Sequence, residues 1–330
     1  MKVLVTGGAG FIGSNLVKIL LEQGNEVTIL DNFSVGRRYN LQNVEGVDIE
    51  KIKNLKIVIG SVCNIDLIRK LMINTDIVFH LAVECLVRCN ENPMLANEVN
   101  SSGTFNICLA AYEAKAKIVY VSSSEVYGTC VFSPMNENHP KEPQSIYGFT
   151  KLIGEEYVKF FYKHYQLPSV IIRPFNSYGP NHRNDQYSAV ITSFIRRLEY
   201  GEYPIIEWTG EQSRDFTYVT DSAEGISYLS KLENCEVVNL GSGNVVSIKD
   251  LAILLLKIYE KENDYSKITF VNKRSDDVFK LECDTTLAKK YGFKPKVSME
   301  EGLRKYISWW RNFNKHKELL RINVEHPQET

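Results

Sequence analysis

The sequence lacks the marks of a membrane, secreted or nucleic-acid-binding chain. No apolar stretch approaches the ~18 residues that a membrane helix needs. Leu251–Leu256, for instance, stops at Lys257. The N-terminus MKVLVTGGAGFIGSN has no signal-peptide core, because its glycines and Asn15 interrupt the apolar run. Charge is balanced, with 39 Lys and Arg against 40 Asp and Glu and a net charge of −1. Nothing there drives binding to nucleic acid or an anionic membrane. The seven cysteines include no CxxC; Cys85 and Cys89 are the nearest pair, so reduced thiols are expected. His80, His139, His164, His182, His316 and His326 are scattered without metal-ligand spacing, so no metal site is expected. No internal repeat or low-complexity stretch stands out. What remains is a chain expected to be cytoplasmic. Its 330 residues, 44% apolar and 24% charged, suffice for one large and one small lobe.

Short β-branched runs alternate with helical patterns through the first half. Val3–Thr6, Glu26–Asp31, Lys56–Ile59, Asp76–His80, Lys117–Ser122 and Ser169–Arg173 read as buried strands. Between them apolar residues recur at helical spacing, as in Ile12, Leu16, Ile19 and Leu20. Strand, helix, strand in this rhythm predicts an α/β fold: a doubly wound parallel sheet of Rossmann type, covered on both faces. After Pro174 the loops lengthen and the rhythm breaks. Helical patterns at Ser188–Tyr200, Ile248–Tyr259 and Met299–Trp310 are separated by strand candidates at Pro204–Glu207 and Lys267–Val271. The expected division is a first domain over 1–175, with about 215–260 returning to it. A smaller C-terminal, substrate-binding lobe would then span about 176–214 and 261–330, ending in a polar, loosely held tail.

The first strand runs straight into Gly7-Gly8-Ala9-Gly10-Phe11-Ile12-Gly13 and then a helix. Glycine there permits a tight turn, admits a pyrophosphate close to the backbone and packs helix on strand. The helix N-terminus adds unpaired N–H groups and a partial positive charge. Asp31 closes the next strand, 18 residues beyond Gly13, where a carboxylate would accept from an adenosine ribose. A carboxylate at that place repels a 2′-phosphate and favours NAD over NADP, although Arg37 and Arg38 follow it. The plain alternative is a glycine turn with no nucleotide.

Tyr147 and Lys151 form YGFTK, and on a helix i and i+4 share a face. A free tyrosine titrates near ~10, and a nearby ammonium is expected to lower that value. Such a phenol can take a proton from a substrate hydroxyl as hydride leaves. Alone the pair is a weak signal, equally an exposed aromatic–cation contact. It gains weight from Ser122-Ser123-Ser124-Glu125-Val126-Tyr127-Gly128 at a strand end, because carboxyl ends of strands line the ligand crevice in such folds. A serine there can hold the substrate oxygen and Glu125 can move a proton on carbon; capping and a salt bridge are the plain alternatives.

Together these residues resemble the extended short-chain dehydrogenase/reductases, specifically the NAD-dependent nucleotide-sugar epimerases, dehydratases and decarboxylases. The resemblance spans nearly the whole chain. It rests on TGGAGFIG, FHLA at Phe79–Ala82, Asn100 with Gly103-Thr104, SSSEVYG, YGFTK, RPFNSYGP at Arg173–Pro180, SRDFTYVTD at Ser213–Asp221, and Arg274 with Asp277. It implies NAD as a bound cofactor held by Gly7, Gly10, Phe11, Ile12, Gly13, Asp31, Asn32, Ser61, Val62, Leu81, Ala82, Asn100, Tyr147 and Lys151. It implies Tyr147 as base, tuned by Lys151, with Ser124 on the sugar hydroxyl at C4. A nucleotide-diphosphate sugar would be bound by Ser124, Asn176, Arg214, Arg274 and Asp277. The chain departs from the family at Gly60-Ser61, where many members carry Gly-Asp, at Val83, and over Glu84–Arg88. The family also implies a homodimer through the helices near Leu95–Tyr112 and Tyr147–Tyr165.

Oxidation at C4 opens three outcomes: 4,6-dehydration, 4-epimerisation, or loss of carbon dioxide from a glucuronate. Glu125 directly after Ser124 looks like the version in mannose and aminosugar dehydratases and in glucuronate decarboxylases; glucose-type dehydratases carry Asp-Glu. The expected reaction is therefore 4,6-dehydration, with 4-epimerase and decarboxylase as alternatives. A non-catalytic NAD-binding protein is the rival from another class, and such proteins generally lack the Tyr-Lys pair.

Overall fold

The computed structural model describes residues 1–42, 52–184, 189–272 and 279–319, the side chains of 315–319 aside. Six strands alternate with helices in its first half: β1 (Lys2–Thr6), β2 (Glu26–Asp31), β3 (Leu55–Ile59), β4 (Ile77–His80), β5 (Lys117–Val121) and β6 (Ser169–Pro174). Each matches an expected strand to within about a residue at either end. Three short strands follow, β7 (Asn176–Tyr178), β8 (Ile205–Glu207) and β9 (Ser213–Tyr218), before β10 (Asn234–Leu240). β10 completes a seven-stranded, all-parallel sheet in the order β10-β6-β5-β4-β1-β2-β3. The order reverses at β1, so the crevice of the fold opens at the carboxyl ends of β1 and β4.

Helices cover both faces. On one, α1 (Phe11–Glu22) lies against α9 (Val219–Leu229) over a core of Val3, Val5, Leu16, Ile29 and Phe79. On the other, α3 (Ile65–Met72) packs on α6 (Gly103–Ala114), and α6 on α7 (Ile146–Tyr165), over Leu4, Val78, Ile107, Ile118 and Ile171. Between these lie α2 (Arg38–Gln42), α4 (Leu86–Glu91) and α5 (Pro93–Ala96), the last running through a wider turn at Asn97–Ser102 into α6. Consecutive residues of β1, β4 and β6 are buried on both sides, as a doubly covered sheet demands.

The second core gathers α8 (Val190–Glu199), α10 (Ile248–Ile258) and α12 (Met299–Leu319) around Phe194, Leu255, Tyr306 and Trp310. Here β11 (Val245–Ser247) and β13 (Lys280–Leu281) flank β9, β7 pairs β9, and β12 (Thr269–Val271) pairs β8. The returning segment is shorter than expected. α9 and β10 join the first core, whereas α10 packs in the second, because its apolar residues Leu251, Ala252, Leu255 and Leu256 face α8 and α12. The short helix α11 (Thr286–Lys290) returns instead, through Ala288. α12 also runs past the expected end at Trp310, so the start of the polar tail is helical.

A buried polar network joins α7 to the sheet. Arg173 on β6 makes paired hydrogen bonds to Glu155 on α7, at 2.7 and 2.6 Å, and a third to the Tyr127 hydroxyl at 2.7 Å. Tyr127 donates to Asn239 on β10, and Ser122 donates to Glu155 at 2.7 Å. Burial pushes the Glu155 carboxyl up, but the Arg173 guanidinium more than offsets this and holds it below its ordinary value. Removing one partner of such a pair leaves a buried charge uncompensated, at a cost of about 3–5 kcal/mol. Glu155→Ala is therefore expected to lose stability on that scale, read as a lower urea midpoint with an unchanged slope.

Candidate active site

A cleft of about 1040 Å³ runs between the sheet's carboxyl edge and the second core. The glycine loop lines one side of it. Gly7 has φ of +70°, and a side chain there would press on the Ala82 backbone at 2.8 Å. A Cβ on Gly13 would overlap the Gly7 carbonyl oxygen. The loop thus brings three backbone segments together without side chains, as a close-lying diphosphate requires. α1 has no side-chain cap at Gly10 and no acidic residue in its first turn, so its first N–H groups stay available to an anion. Asp31 accepts from Ala9 N–H at 2.9 Å and Phe33 N–H at 2.8 Å, bracing this loop while facing the cleft. Burial raises its pKa, and the two backbone donors act in the opposite sense.

Most of the expected cofactor residues line this cleft. Gly7, Gly10, Phe11, Ile12 and Gly13 form one wall, Asp31, Asn32, Ser61 and Val62 the next, and Leu81 and Ala82 the floor. Asn100 does not. It is buried below the floor, where its Oδ1 accepts from Glu84 N–H at 2.7 Å and its Nδ2 donates to Thr150 at 3.0 Å. It fastens the loop after β4 to α7. That loop carries the unmatched Glu84–Arg88 stretch. Glu84 pairs with Arg88 at 2.9 Å, and Arg88 also donates to the Ser34 carbonyl, joining the loops after β4 and β2.

Ser145 caps α7 by accepting from Gly148 N–H at 3.0 Å, which sets Tyr147 in the first turn and Lys151 one turn later. Both line the cleft, as does Glu125. Gly148 packs so closely on the Glu125 carbonyl that a Cβ would stand 2.5 Å from it. This contact holds the Ser124–Val126 turn against the start of α7. The serine facing Tyr147 is Ser123, not the expected Ser124. Ser123 is extended, lines the cleft as Tyr147 does, and acts on the Tyr147 phenol, lowering its pKa. Ser124 opens the following turn, is buried, and is not among the cleft residues. The sequence offered three adjacent serines, and only the backbone direction at the end of β5 separates them. Ser122 is taken by Glu155.

The electrostatics also differ from expectation. Burial pushes the Tyr147 phenol well above the ordinary tyrosine value; the Ser123 hydrogen bond lowers it and the Glu125 charge raises it further. Burial likewise brings Lys151 down from 10.5 to about 7, against the pull of Glu155 and Cys89. At both groups desolvation is the largest cause and drives the neutral form. His80 is buried between Thr6 at 2.7 Å and Thr104 at 2.9 Å, and burial takes its pKa to about 3.

From the second core, Asn176 and Arg214 reach the cleft. Arg214 donates to the Ser213 carbonyl at 2.9 Å. Arg274 and Asp277 lie outside the described residues. Arg173, counted from sequence with the nucleotide-sugar motif, is buried in the network behind β6. All seven cysteines are free thiols, and among the described residues no group of three His, Cys, Asp or Glu is placed to hold a metal ion. No helix of the described residues is long and apolar enough to cross a membrane.

The family model of the GDP-mannose 4,6 dehydratases matches residues 4–306. A putative UDP-glucose 4-epimerase of Methanocaldococcus jannaschii is 34% identical over 95% of this chain and 99% of its own length. The UDP-N-acetyl-alpha-D-glucosaminuronate decarboxylase of Bacillus cytotoxicus is 34% identical over 94% and 98%. Among solved structures, a UDP-N-acetylglucosamine 4-epimerase from Methanobrevibacter ruminantium M1, in complex with UDP-N-acetylmuramic acid, superposes with a TM-score of 0.87 at 32% identity, covering 94% and 98% of the two chains. The dTDP-glucose 4,6-dehydratase of Streptomyces venezuelae, solved with NAD bound, gives 0.87 at 28% identity over 97% and 100%. The chain belongs to this family, the extended short-chain dehydrogenase/reductases that act with NAD as nucleotide-sugar epimerases, dehydratases and decarboxylases.

The shift at Lys151 has a consequence for stability. Between about pH 7 and 10.5 the unfolded chain binds a proton there that the folded chain does not, so this group makes stability rise with pH across that window. At neutral pH and below, folding must bury a charge. Lys151→Met is expected to raise the melting temperature of the cofactor-free protein at pH 7 and to flatten that rise. Melting curves at pH 6, 7.5 and 9 check it, and a lower melting temperature at pH 7 would contradict it.

Proposed function

We propose that this protein is an NAD-dependent nucleotide-diphosphate-sugar 4,6-dehydratase. The observation that carries this reading is Glu125, a carboxylate in the same cleft as Tyr147 and close enough for its charge to act on the phenol. A simple 4-epimerase has no use for a base beside the phenol.

The cleft fits NAD: a side-chain-free glycine loop, an uncapped helix N-terminus and a carboxylate beside them. Bound there, NAD would accept hydride from sugar C4, return it at C6, and bring a cationic ring to the cleft. Gly7, Gly10 and Gly13 would admit the diphosphate, Asp31 would accept from the adenosine ribose, and Lys151 would donate to the nicotinamide ribose. Ser123 would hold the C4 hydroxyl against Tyr147, which takes its proton. A cation beside Tyr147 supplies the stabilisation that burial removes. The C4 ketone acidifies the C5 hydrogen, which Glu125 takes. Glu125 passes that proton to the departing C6 hydroxyl, giving water; a solvent proton then reaches C5 as hydride reaches C6, and Tyr147 releases the C4 hydroxyl proton to solvent. Asn176, Arg214, Arg274 and Asp277 would bind the sugar nucleotide, Arg214 meeting its diphosphate through a planar fork.

A 4-epimerase is the second reading, favoured by Ser124. Where glucose-type dehydratases carry an acid next to this glutamate, the chain has a buried serine, leaving Glu125 to act alone as base and acid. Decarboxylation of a glucuronate nucleotide is the third outcome. Incubation with UDP-, GDP- and dTDP-sugars separates them. A 4-keto-6-deoxy product absorbing in alkali supports dehydration; a 4-epimer alone, or carbon dioxide, overturns it. Tyr147→Phe and Ser123→Ala are expected to lower turnover by about 10²–10⁴-fold with NAD still bound, whereas Ser124→Ala changes it little. Glu125→Gln should block water loss yet permit reduction of NAD by the sugar, seen at 340 nm on the scale of ~10²-fold or more.

We further propose a homodimer through α6 and α7. Phe105 and Tyr112 on α6, with Phe149, Phe160 and Tyr165 on α7, leave an exposed aromatic surface. Sedimentation at twice 37.8 kDa is expected. Phe160→Glu should return the protein to monomer.

A further inference from the structure

Lys151 is buried, yet among the described residues no hydrogen bond or ion pair holds its ammonium. Glu155, one turn away on α7, is committed to Arg173 at 2.7 and 2.6 Å. Cys89 on α4 is a neutral thiol, its pKa pushed up to about 11 by burial, and His80 on β4 is a neutral imidazole. What the ammonium does meet is an aromatic face: Lys151 Nζ stands 4.3 Å from the centroid of the Tyr120 ring.

Tyr120 is held in that place from every side. It is fully buried on β5 and lies 5.7 Å from the His80 ring, tilted by 37°. Its hydroxyl donates to the Lys151 carbonyl at 3.1 Å. Gly154, on the next turn of α7, makes room for it, since a Cβ there would overlap the Tyr120 hydroxyl. One residue thus grips the lysine at both ends, backbone and ammonium.

We propose that Tyr120 is a positioning residue for Lys151, its ring face seating the ammonium at the cleft floor. The inference rests on the role given to Lys151 above and adds the group that holds it. A carboxylate in this place would consume the N–H donors and neutralise the charge. A π face attracts the cation through its quadrupole from one side only and leaves the remaining donors for a ribose. It also favours the charged amine that burial disfavours.

The test reads Lys151 directly in the cofactor-free, full-length protein, so it stands apart from whether the sugar is dehydrated. The Nζ of Lys151 is titrated by NMR, with Lys151→Met identifying its signal. Tyr120→Phe keeps the ring and is expected to keep the midpoint. Tyr120→Leu removes it and is expected to lower the midpoint by about one pH unit, the scale of a desolvated cation–π contact. An unchanged midpoint in Tyr120→Leu, or an equal fall in Tyr120→Phe, would overturn the proposal. Should Tyr120→Leu fail to fold, phenylalanines of increasing fluorination at 120 keep the shape while weakening the π face. A stepwise fall in the midpoint supports the seat, and a flat series sinks it.

Discussion

Desolvation at the cleft floor governs this site. Lys151 is buried and Tyr147 half-buried where α7 meets the carboxyl end of β5, and burial drives each toward its neutral form. A poised base in water is made by moving a charge close. Where burial disfavours the charge it must first be kept, and the groups placed to do so do not titrate: a serine hydroxyl and an aromatic face. The nearby carboxylate able to neutralise Lys151, Glu155, is drawn off by Arg173 behind the sheet.

That diversion links stability to chemistry. The Arg173–Glu155 pair ties α7 to β6, and through Tyr127 and Asn239 to the edge strand β10. The same pair takes up Ser122, so only Ser123 of the neighbouring serines faces Tyr147. A buried ion pair adds little net stability over apolar packing, but it specifies one arrangement because any other leaves a charge unpaired. Here the arrangement it specifies is the register of α7 on the sheet, and that register places Tyr147 and Lys151.

Much of the fold was legible. Six strands and the return of β10 followed from β-branched runs bounded by turn residues. The glycine loop was readable because only glycine survives where backbone meets backbone, as Gly13 and Gly7 do. Tyr147, Lys151 and Glu125 were readable because helical spacing and a strand end put them on one rim. Other features were not. Asn100 sits in a motif that did not reveal its side-chain bonds to Glu84 and Thr150. The apolar stripe of α10 was plain, but a stripe does not name its partner, and it joined the second core. The lowered tyrosine pKa expected from a Tyr-Lys pair ignored the cost of burying both groups.

The amino-acid order alone determined the parallel α/β sheet, the dinucleotide loop and the pairing of tyrosine with lysine. Each depends on local spacing or on a residue type that one backbone shape requires. The folded molecule decided which of three serines faces the phenol, which carboxylate is spent behind the sheet, and which ring lies under the ammonium. Those outcomes turn on the direction of a side chain at a strand end and on how much water is left around it. Neither is set until distant segments pack together.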